Sequence, residues 1–439
     1  MSDLLFARSQ MALSLAFHII FAAIGIGLPV LMVLAEGLYL RTRRPVYLEL
    51  AKRWARGSAI LFAVGAVSGT VLSFELGLLW PSFMAKAGSI IGMPFSLEGF
   101  AFFTEAIFLG VYLFGWNKLP PLWHWTAGVL VAVGGISSGI FVVTANAWMN
   151  APTGFKIVGG KVTEVDPIAA MLNPASLHEV LHMILAAFIA TGFAVAAVHA
   201  FFLLHDRRNQ FHRTAVGLAL TLACITSPMQ IWSGDLSART VARIQPAKLA
   251  AMEANYRTQT GAPILLGGVP DDNARDVKYA IPIPDGLSFL STHDPKSKVV
   301  GLEEFPRSDW PNVRLVHWSF QLMVFCGLFL LALSIYAGGF WWKHRRLADR
   351  TWFLRGVVAA GPLSFLAIEL GWFVTELGRQ PWIVYGVMRT AEAVTPMRWL
   401  VVPFAIFTIV YLFLAFMVVY LLCREFLKTA PAELQRSVS

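Results

Sequence analysis

The chain has 439 residues, 57% of them hydrophobic and only 14% charged, with a mean hydropathy of +0.63. That balance excludes an ordinary soluble domain and describes a polytopic membrane protein. The net charge of +9 does not indicate a nucleic-acid surface, because the basic residues stand between apolar runs rather than in one patch.

Nine apolar stretches each reach the roughly 20 residues that a helix rising 1.5 Å per residue needs to cross a bilayer. They cover residues 10–40, 57–80, 98–116, 125–145, 176–204, 215–233, 314–342, 354–376 and 400–423. The expected fold is all-α, with transmembrane helices 1–6 in residues 1–233, a long loop in 234–313, and helices 7–9 with a tail in 314–439. Residues 1–8 lead straight into an apolar run too long for the core of a signal peptide. One set of short loops and ends carries eighteen Lys and Arg, among them Arg41, Arg43, Arg44, Lys118, Arg207, Arg208, Arg345, Arg346 and Arg436. The opposite set carries seven, so positive-inside asymmetry predicts the N-terminus outside and the C-terminus in the cytoplasm. Cys224, Cys326 and Cys423 all lie in apolar segments and form no disulfide or zinc framework. Fifteen Trp and 33 Phe exceed what interfacial belts need and suit the walls of a flat aromatic cofactor.

Ionisable groups inside such spans mark function by default. His18 stands in the first span, and for that residue alone a ligand and a helix–helix hydrogen bond are equally good readings. Glu98 and Glu105 are seven residues apart in the third span, so they share a face about 10 Å apart and suggest a proton relay. Ser138 and Asn146 of the fourth span would extend that polar track, while each taken singly reads better as a helix–helix hydrogen bond. His178 and His182 are one turn apart in the fifth span, with His178 expected at the interface and His182 one turn deeper. No third residue stands at zinc-ligand spacing.

The loop at 234–312, expected on the outer face, is too long for a simple connection, which marks it as functional. Its first part, 235–256, reads as amphipathic helix interrupted by Pro246, and 261–309, rich in Pro, Gly and Asp, reads as irregular. Met323 lies about two turns into the seventh span, at a depth matching His182. His plus Met is the axial pair of a six-coordinate, electron-transferring haem. In the eighth span Glu369, Trp372 and Glu376 share one helix face before the stop at Gly378-Arg-Gln-Pro-Trp382.

These residues resemble subunit I of the cytochrome bd-type quinol oxidases. The likeness covers all nine spans and the loop. Its most specific pieces are Glu369-Leu-Gly-Trp followed by Gly378-Arg379-Gln-Pro-Trp, the Asn146-Ala-Trp-Met block, and Lys248-Leu-Ala-Ala-Met-Glu253. The last resembles the start of the family's quinol-binding loop, here of the short type. The resemblance implies that His182 and Met323 hold a low-spin haem b. It implies that His18 and Glu369 hold the two high-spin haems, a haem b and a haem d (or a further haem b in its place), without saying which takes which. Trp372 and Arg379 would contact cofactor, Lys248 and Glu253 quinol, and Glu98, Glu105 and Ser138 the proton route. The implied reaction oxidises quinol at the outer face and reduces O2 to water with cytoplasmic protons, in a bacterial cytoplasmic membrane. Implied partners are subunit II, a small single-span subunit, quinol, O2 and lipid, with no nucleic acid. Gln321 stands where many members have Arg, and the seven-residue Glu98–Glu105 spacing resembles the cyanide-insensitive branch. The rival readings are a transporter, which lacks support because no internal repeat is visible, and a haem electron carrier without oxygen chemistry.

Overall fold

The computed structural model describes residues 3–344 and 350–428. Arg345, Arg346 and Arg436 of the basic set lie outside the described residues. Thirteen α-helices follow one another: α1 (Asp3–Thr42), α2 (Pro45–Leu79), α3 (Pro81–Phe114), α4 (Pro121–Asn150), α5 (Pro167–Met171), α6 (Ser176–His205), α7 (Gln210–Ile244), α8 (Pro246–Met252), α9 (Gly286–Thr292), α10 (Val313–His344), α11 (Thr351–Arg379), α12 (Thr390–Ala393) and α13 (Val401–Leu427). Among the described residues nine of these are long and apolar enough to cross a membrane: α1, α2, α3, α4, α6, α7, α10, α11 and α13. The expected nine spans are therefore present, most of them longer than expected; α3 begins seventeen residues earlier, at Pro81, and ends two residues earlier, at Phe114. Proline opens α2, α3 and α4 in their first turn, where its missing N–H costs nothing.

The main core gathers Leu28, Leu31, Met32, Leu50, Phe193, Leu203, Leu220, Phe353 and Leu354, from α1, α2, α6, α7 and α11. Small residues set how closely these helices approach. A Cβ built on Gly27 of α1 would fall 2.3 Å from Thr191 Oγ1 of α6. The Thr191 hydroxyl donates instead to the Ala23 carbonyl at 3.1 Å, tying the two helices together. The Leu400 backbone N–H donates to Asp3 at 3.2 Å, so the starts of α1 and α13 share one end of the bundle.

That end also carries the long loop, and here the expected organisation changes. The sixth span does not stop at 233: α7 continues to Ile244, so the first half of the expected amphipathic segment is an extension of a membrane helix. Only α8, opened by Pro246, is a separate helix. Residues 261–309 are not purely irregular. They contain short antiparallel pairs within the set β1 (Lys156–Val158), β2 (Lys161–Thr163), β3 (Gln259–Thr260), β4 (Ile264–Leu266), β5 (Val269–Asp271), β6 (Asp276–Lys278), β7 (Ile281–Ile283), β8 (Lys298–Val299), β9 (Trp382–Val384) and β10 (Met388–Arg389). β3 pairs with β8, β4 with β7, and β5 with β6. The two-residue Gly267-Gly268 link between β4 and β5 has φ of +65° and +83°, which glycine adopts without strain. A core of Leu249, Tyr256, Leu287, Val299, Leu302 and Val316 seats this loop on α8 and α10.

Candidate functional site

Among the described residues, three groups of polar side chains within the bundle hold the residues nominated from the sequence. The first is at the loop end, where α4, α6, α7, α8 and α11 converge. Glu376 of α11 accepts from Asn146 Nδ2 at 2.7 Å and from Arg379 Nη2 at 2.6 Å. Arg379 is 1% exposed, yet its Nε and Nη1 have no partner among the described residues. A buried guanidinium with two open donors is a site that an anion would complete. One turn further along α4, Asn150 donates to Glu179 at 2.9 Å and accepts from Gln245 at 3.3 Å and Lys248 Nζ at 3.5 Å. Lys248 is buried, and its stem crosses α11 at Gly378, where a Cβ would fall 2.9 Å from Lys248 Cγ. Burial pushes the Lys248 ammonium below its usual value, while Glu179 and Glu376 hold it up.

Glu253 caps the end of α8 and is 1% exposed. Its Oε2 has no partner among the described residues, and burial pushes the carboxyl up to about 7. Five residues on a helix place Lys248 and Glu253 about 140° apart, which agrees with Lys248 turning toward Asn150 rather than lying over Glu253.

The second group contains the expected iron ligands. Ser68 Oγ donates to the Val64 carbonyl at 3.0 Å, so its lone pairs receive the His18 Nδ1–H at 3.0 Å. This fixes the ring of His18 and leaves Nε2 as the lone-pair nitrogen. Gly69 provides the space, since a Cβ there would stand 3.0 Å from His18 Cε1. His182 is oriented in the same way: its Nδ1–H donates to Ser233 Oγ at 2.9 Å, and Ser233 donates to the Gln230 carbonyl. His182 Nε2 accepts from the Gln230 amide at 2.9 Å, so a metal there would displace that amide. Met323 lies against α11, where a Cβ on Gly371 would stand 3.3 Å from its sulfur. Glu369, half-buried one turn before Trp372, keeps Oε1 without a partner among the described residues.

The third group is the acid line. Ser138 Oγ donates to Glu98 Oε1 at 3.1 Å, joining α4 to α3. Glu105 is buried where α1 and α4 are reduced to glycine. A Cβ on Gly134 would stand 2.9 Å from the Glu105 backbone nitrogen, and one on Gly135 3.3 Å from Glu105 Oε2. Glu98 and Ser138 thus meet, and Glu105 stands two turns away.

His178, in the first turn of α6, is buried against α7, donating from Nδ1 to Ser237 at 3.2 Å, with Nε2 unpartnered among the described residues. Other groups did not stand out in the sequence. Glu75 of α2 accepts from Gln10 at 2.9 Å and Ser14 at 2.8 Å, one turn above His18 on α1. Glu36 of α1 pairs with His124 of α4 at 2.7 Å. The rule applied to Glu98, an acid inside an apolar span, would have found both. Among the described residues no three His, Cys, Asp or Glu are placed to hold a free metal ion.

Among the described residues the nine candidate spans enclose buried, oriented imidazoles, a thioether and open carboxylates, side chains of the kinds that hold redox cofactors in a membrane protein. Residues 6–430 match the family described as cytochrome bd terminal oxidase subunit I. The chain is 39% identical to a putative cytochrome bd menaquinol oxidase subunit I of Bacillus subtilis, over 98% of this chain and 97% of that protein. It is 33% identical to the cytochrome bd ubiquinol oxidase subunit 1 of the same organism, over 98% and 95%. The bd oxidase structure from Geobacillus thermodenitrificans superposes with a TM-score of 0.92 at 37% identity, over 98% of this chain and 99% of that one. The chain belongs to the cytochrome bd terminal oxidase subunit I family.

Proposed function

We propose that this chain is the haem-bearing subunit of a terminal quinol oxidase in a bacterial cytoplasmic membrane, with its loop end facing outward. Quinol binds at the loop end, and O2 is reduced to water near His18 and Glu98. The observation that carries this reading is the presence, in one bundle, of oriented ligand side chains with open lone pairs beside a separate line of buried acids.

The chain's residues fit the cofactor. His182 and Met323 would hold a low-spin haem b. His18 Nε2 and an α11 carboxylate would hold two high-spin haems, a haem b and a haem d or a second haem b. The open Arg379 donors suit a haem propionate. When bound, these groups would supply electron transfer and oxygen chemistry. Two carboxylates share that face of α11. Glu369 has the uncommitted oxygen and is the assigned ligand, while Glu376 is already held by Asn146 and Arg379. Comparing Glu369→Gln with Glu376→Gln tests the assignment, because a high-spin haem signal is lost with the ligand.

The remaining roles belong to side chains. Lys248 and Glu253 bind quinol from two sides, and Glu253 takes a proton from it. Glu105 receives protons from the face opposite the loop, and Ser138 aligns Glu98 to pass them on. The exposed faces of α2, α3 and α13 receive subunit II, and a small single-span subunit completes the complex. A reduced-minus-oxidised spectrum of the purified complex, with and without carbon monoxide, tests the reading. Three haems, one or more binding carbon monoxide, and quinol-driven oxygen uptake are expected. Absence of a Soret band would remove the oxidase reading, and haems that never bind carbon monoxide would leave an electron carrier.

A further inference from the structure

Two carboxylates stand near the Lys248 ammonium closely enough for their charge to act on it, Glu179 of α6 and Glu376 of α11. Two asparagines, one turn apart on α4, hold these acids. Asn146 Nδ2 donates to Glu376 at 2.7 Å, and Asn150 Nδ2 donates to Glu179 at 2.9 Å. Asn150 Nδ2 also lies 3.3 Å from Asn146 Oδ1, which links the two amides. On its other side Asn150 Oδ1 accepts from Gln245 Nε2 at 3.3 Å and from Lys248 Nζ at 3.5 Å.

The orientation of the Asn150 amide follows from its neighbours. Turning it over would set its NH2 group against the Lys248 ammonium, a donor like itself, and its oxygen against a carboxylate. Asn150, Gln245 and Lys248 are 0%, 1% and 4% exposed, so bulk water is not at hand to replace a lost partner. One neutral group therefore separates an ammonium from a carboxylate.

Lys248 has three ammonium donors. Among the described residues its one hydrogen bond from Nζ is the 3.5 Å contact with Asn150, at the long limit for such a bond. A Cβ on Gly378 would fall 2.9, 3.3 and 3.2 Å from Lys248 Cγ, Cδ and Cε, so the stem is confined against α11. A buried ammonium and a buried carboxylate with no other partner are driven to pair, and separating such a pair again is expensive. A Lys248–Glu179 ion pair would occupy the donors that a quinol oxygen needs.

We propose that Asn150 is a positioning residue whose amide occupies Glu179 and keeps Lys248 out of an ion pair, with the ammonium donors left open to a quinol oxygen. This rests on the quinol reading of Lys248. Weak retention is the useful property. A 3.5 Å bond to a neutral amide is exchanged for a quinol oxygen at small cost, and a buried ion pair is not.

Steady-state oxidation of a short-chain quinol by the purified complex tests this. Asn150→Leu removes the amide at similar volume. KM should rise about tenfold, the scale of one lost hydrogen bond to a charged group, while kcat and the haem spectra change little. A packing role for Asn150 predicts a loss as well, so the double variant decides. With Glu179→Gln added to Asn150→Leu no carboxylate is left at that position to capture Lys248, and KM should return most of the way to that of Glu179→Gln alone. A double variant as impaired as Asn150→Leu overturns the proposal, and so does an unchanged KM in Asn150→Leu. If Asn150→Leu fails to assemble, the isosteric Asn150→Asp takes its place. It sets a carboxylate directly against Lys248 and should raise KM at least as far; an unchanged KM there overturns the proposal too. Lys248→Met separates this from the reading beneath it. An unchanged KM in Lys248→Met removes Lys248 from the quinol site, whereas a KM that rises in Lys248→Met but not in Asn150→Leu removes only the role of Asn150.

Discussion

Glu253→Gln probes the quinol end with a magnitude that the structure supplies. The carboxyl is 1% exposed, one oxygen has no partner, and burial raises it from the usual 4.5 to about 7. That rise means ionising Glu253 in the fold costs about 3 kcal/mol more than in water. The sign follows from linkage. A group whose folded value is raised contributes stability that is full below pH 4.5 and lost as pH climbs through 7, because the folded state holds the proton longer. The carboxylate is also the form able to accept a proton from quinol, so the rate of haem reduction by quinol should rise with pH and level above about 7. One pH step below that value, roughly a tenth of the molecules carry the base, and the rate should fall about tenfold. Glu253→Gln has neither the ionisation cost nor the base. It should gain stability relative to wild type between pH 5 and 8 and reduce haem slowly at all pH. Stopped-flow haem reduction by quinol from pH 5.5 to 8.5, with thermal unfolding over the same range, measures both. An unchanged inflection near pH 7 in Glu253→Gln would refute the assignment of that inflection to Glu253.

Met323→Leu keeps the packing against Gly371 and removes the sulfur, so one haem should turn high-spin or lose potential in a redox titration; an identical reduced spectrum and potential removes Met323 as a ligand. Glu105→Gln should slow steady oxygen turnover by about a hundredfold, the scale of a lost general acid–base group, while electron entry from quinol persists; full turnover in the assembled enzyme would reduce Glu105 to a packing role. Ser138→Ala removes the hydroxyl that donates to Glu98 at 3.1 Å and should slow proton uptake without removing a haem, as read by proton release and uptake against the optical spectrum. Gly27→Ala puts a methyl on Thr191 and should cost about 1–3 kcal/mol through overpacking; thermal unfolding of the complex measures it, and an unchanged midpoint would mean that α1 and α6 can separate at no cost.

The nine spans were legible because hydropathy and length are local properties of the chain, and so was the stop at Gln380-Pro381. The end of α7 was not. Residues 235–244 are polar enough to read as a surface segment, yet the Ser237 hydroxyl there accepts from His178 inside the protein. Hydropathy records the average environment of a stretch, not the one polar face that meets a neighbour. The sequence could put Ser138 on a polar track with the acids of α3, but its contact with Glu98 came only with the packing of α4 on α3. The pairing of Asn146 with Glu376, 230 residues away, is set by tertiary packing and leaves no trace in spacing. The same holds for the burial of Lys248, which depends on Gly378 across α11. For iron ligands the sequence could nominate His18, His182, Met323 and Glu369, but ring orientation came only with Ser68 and Ser233. Each of those serines sits on a different helix from its histidine.

Glycine placement connects the fold to the chemistry more directly than the ligands do. Five of the proposed functional side chains lie where a neighbouring helix carries glycine: His18 by Gly69, Glu105 by Gly25, Gly134 and Gly135, His182 by Gly234, Met323 by Gly371, and Lys248 by Gly378. In a bilayer there is little hydrophobic gain in helix association, so close backbone approach supplies much of the packing. The same missing Cβ that lets helices approach leaves a slot into which an imidazole, carboxyl or ammonium stem can turn without meeting lipid. Charged and ligating groups, expensive in hydrocarbon, are thus enclosed by the contacts that hold the bundle together. An alanine at Gly134 would meet the α3 backbone at 2.9 Å and one at Gly378 would meet the Lys248 stem at 2.9 Å, so packing and site cannot be altered independently at these positions.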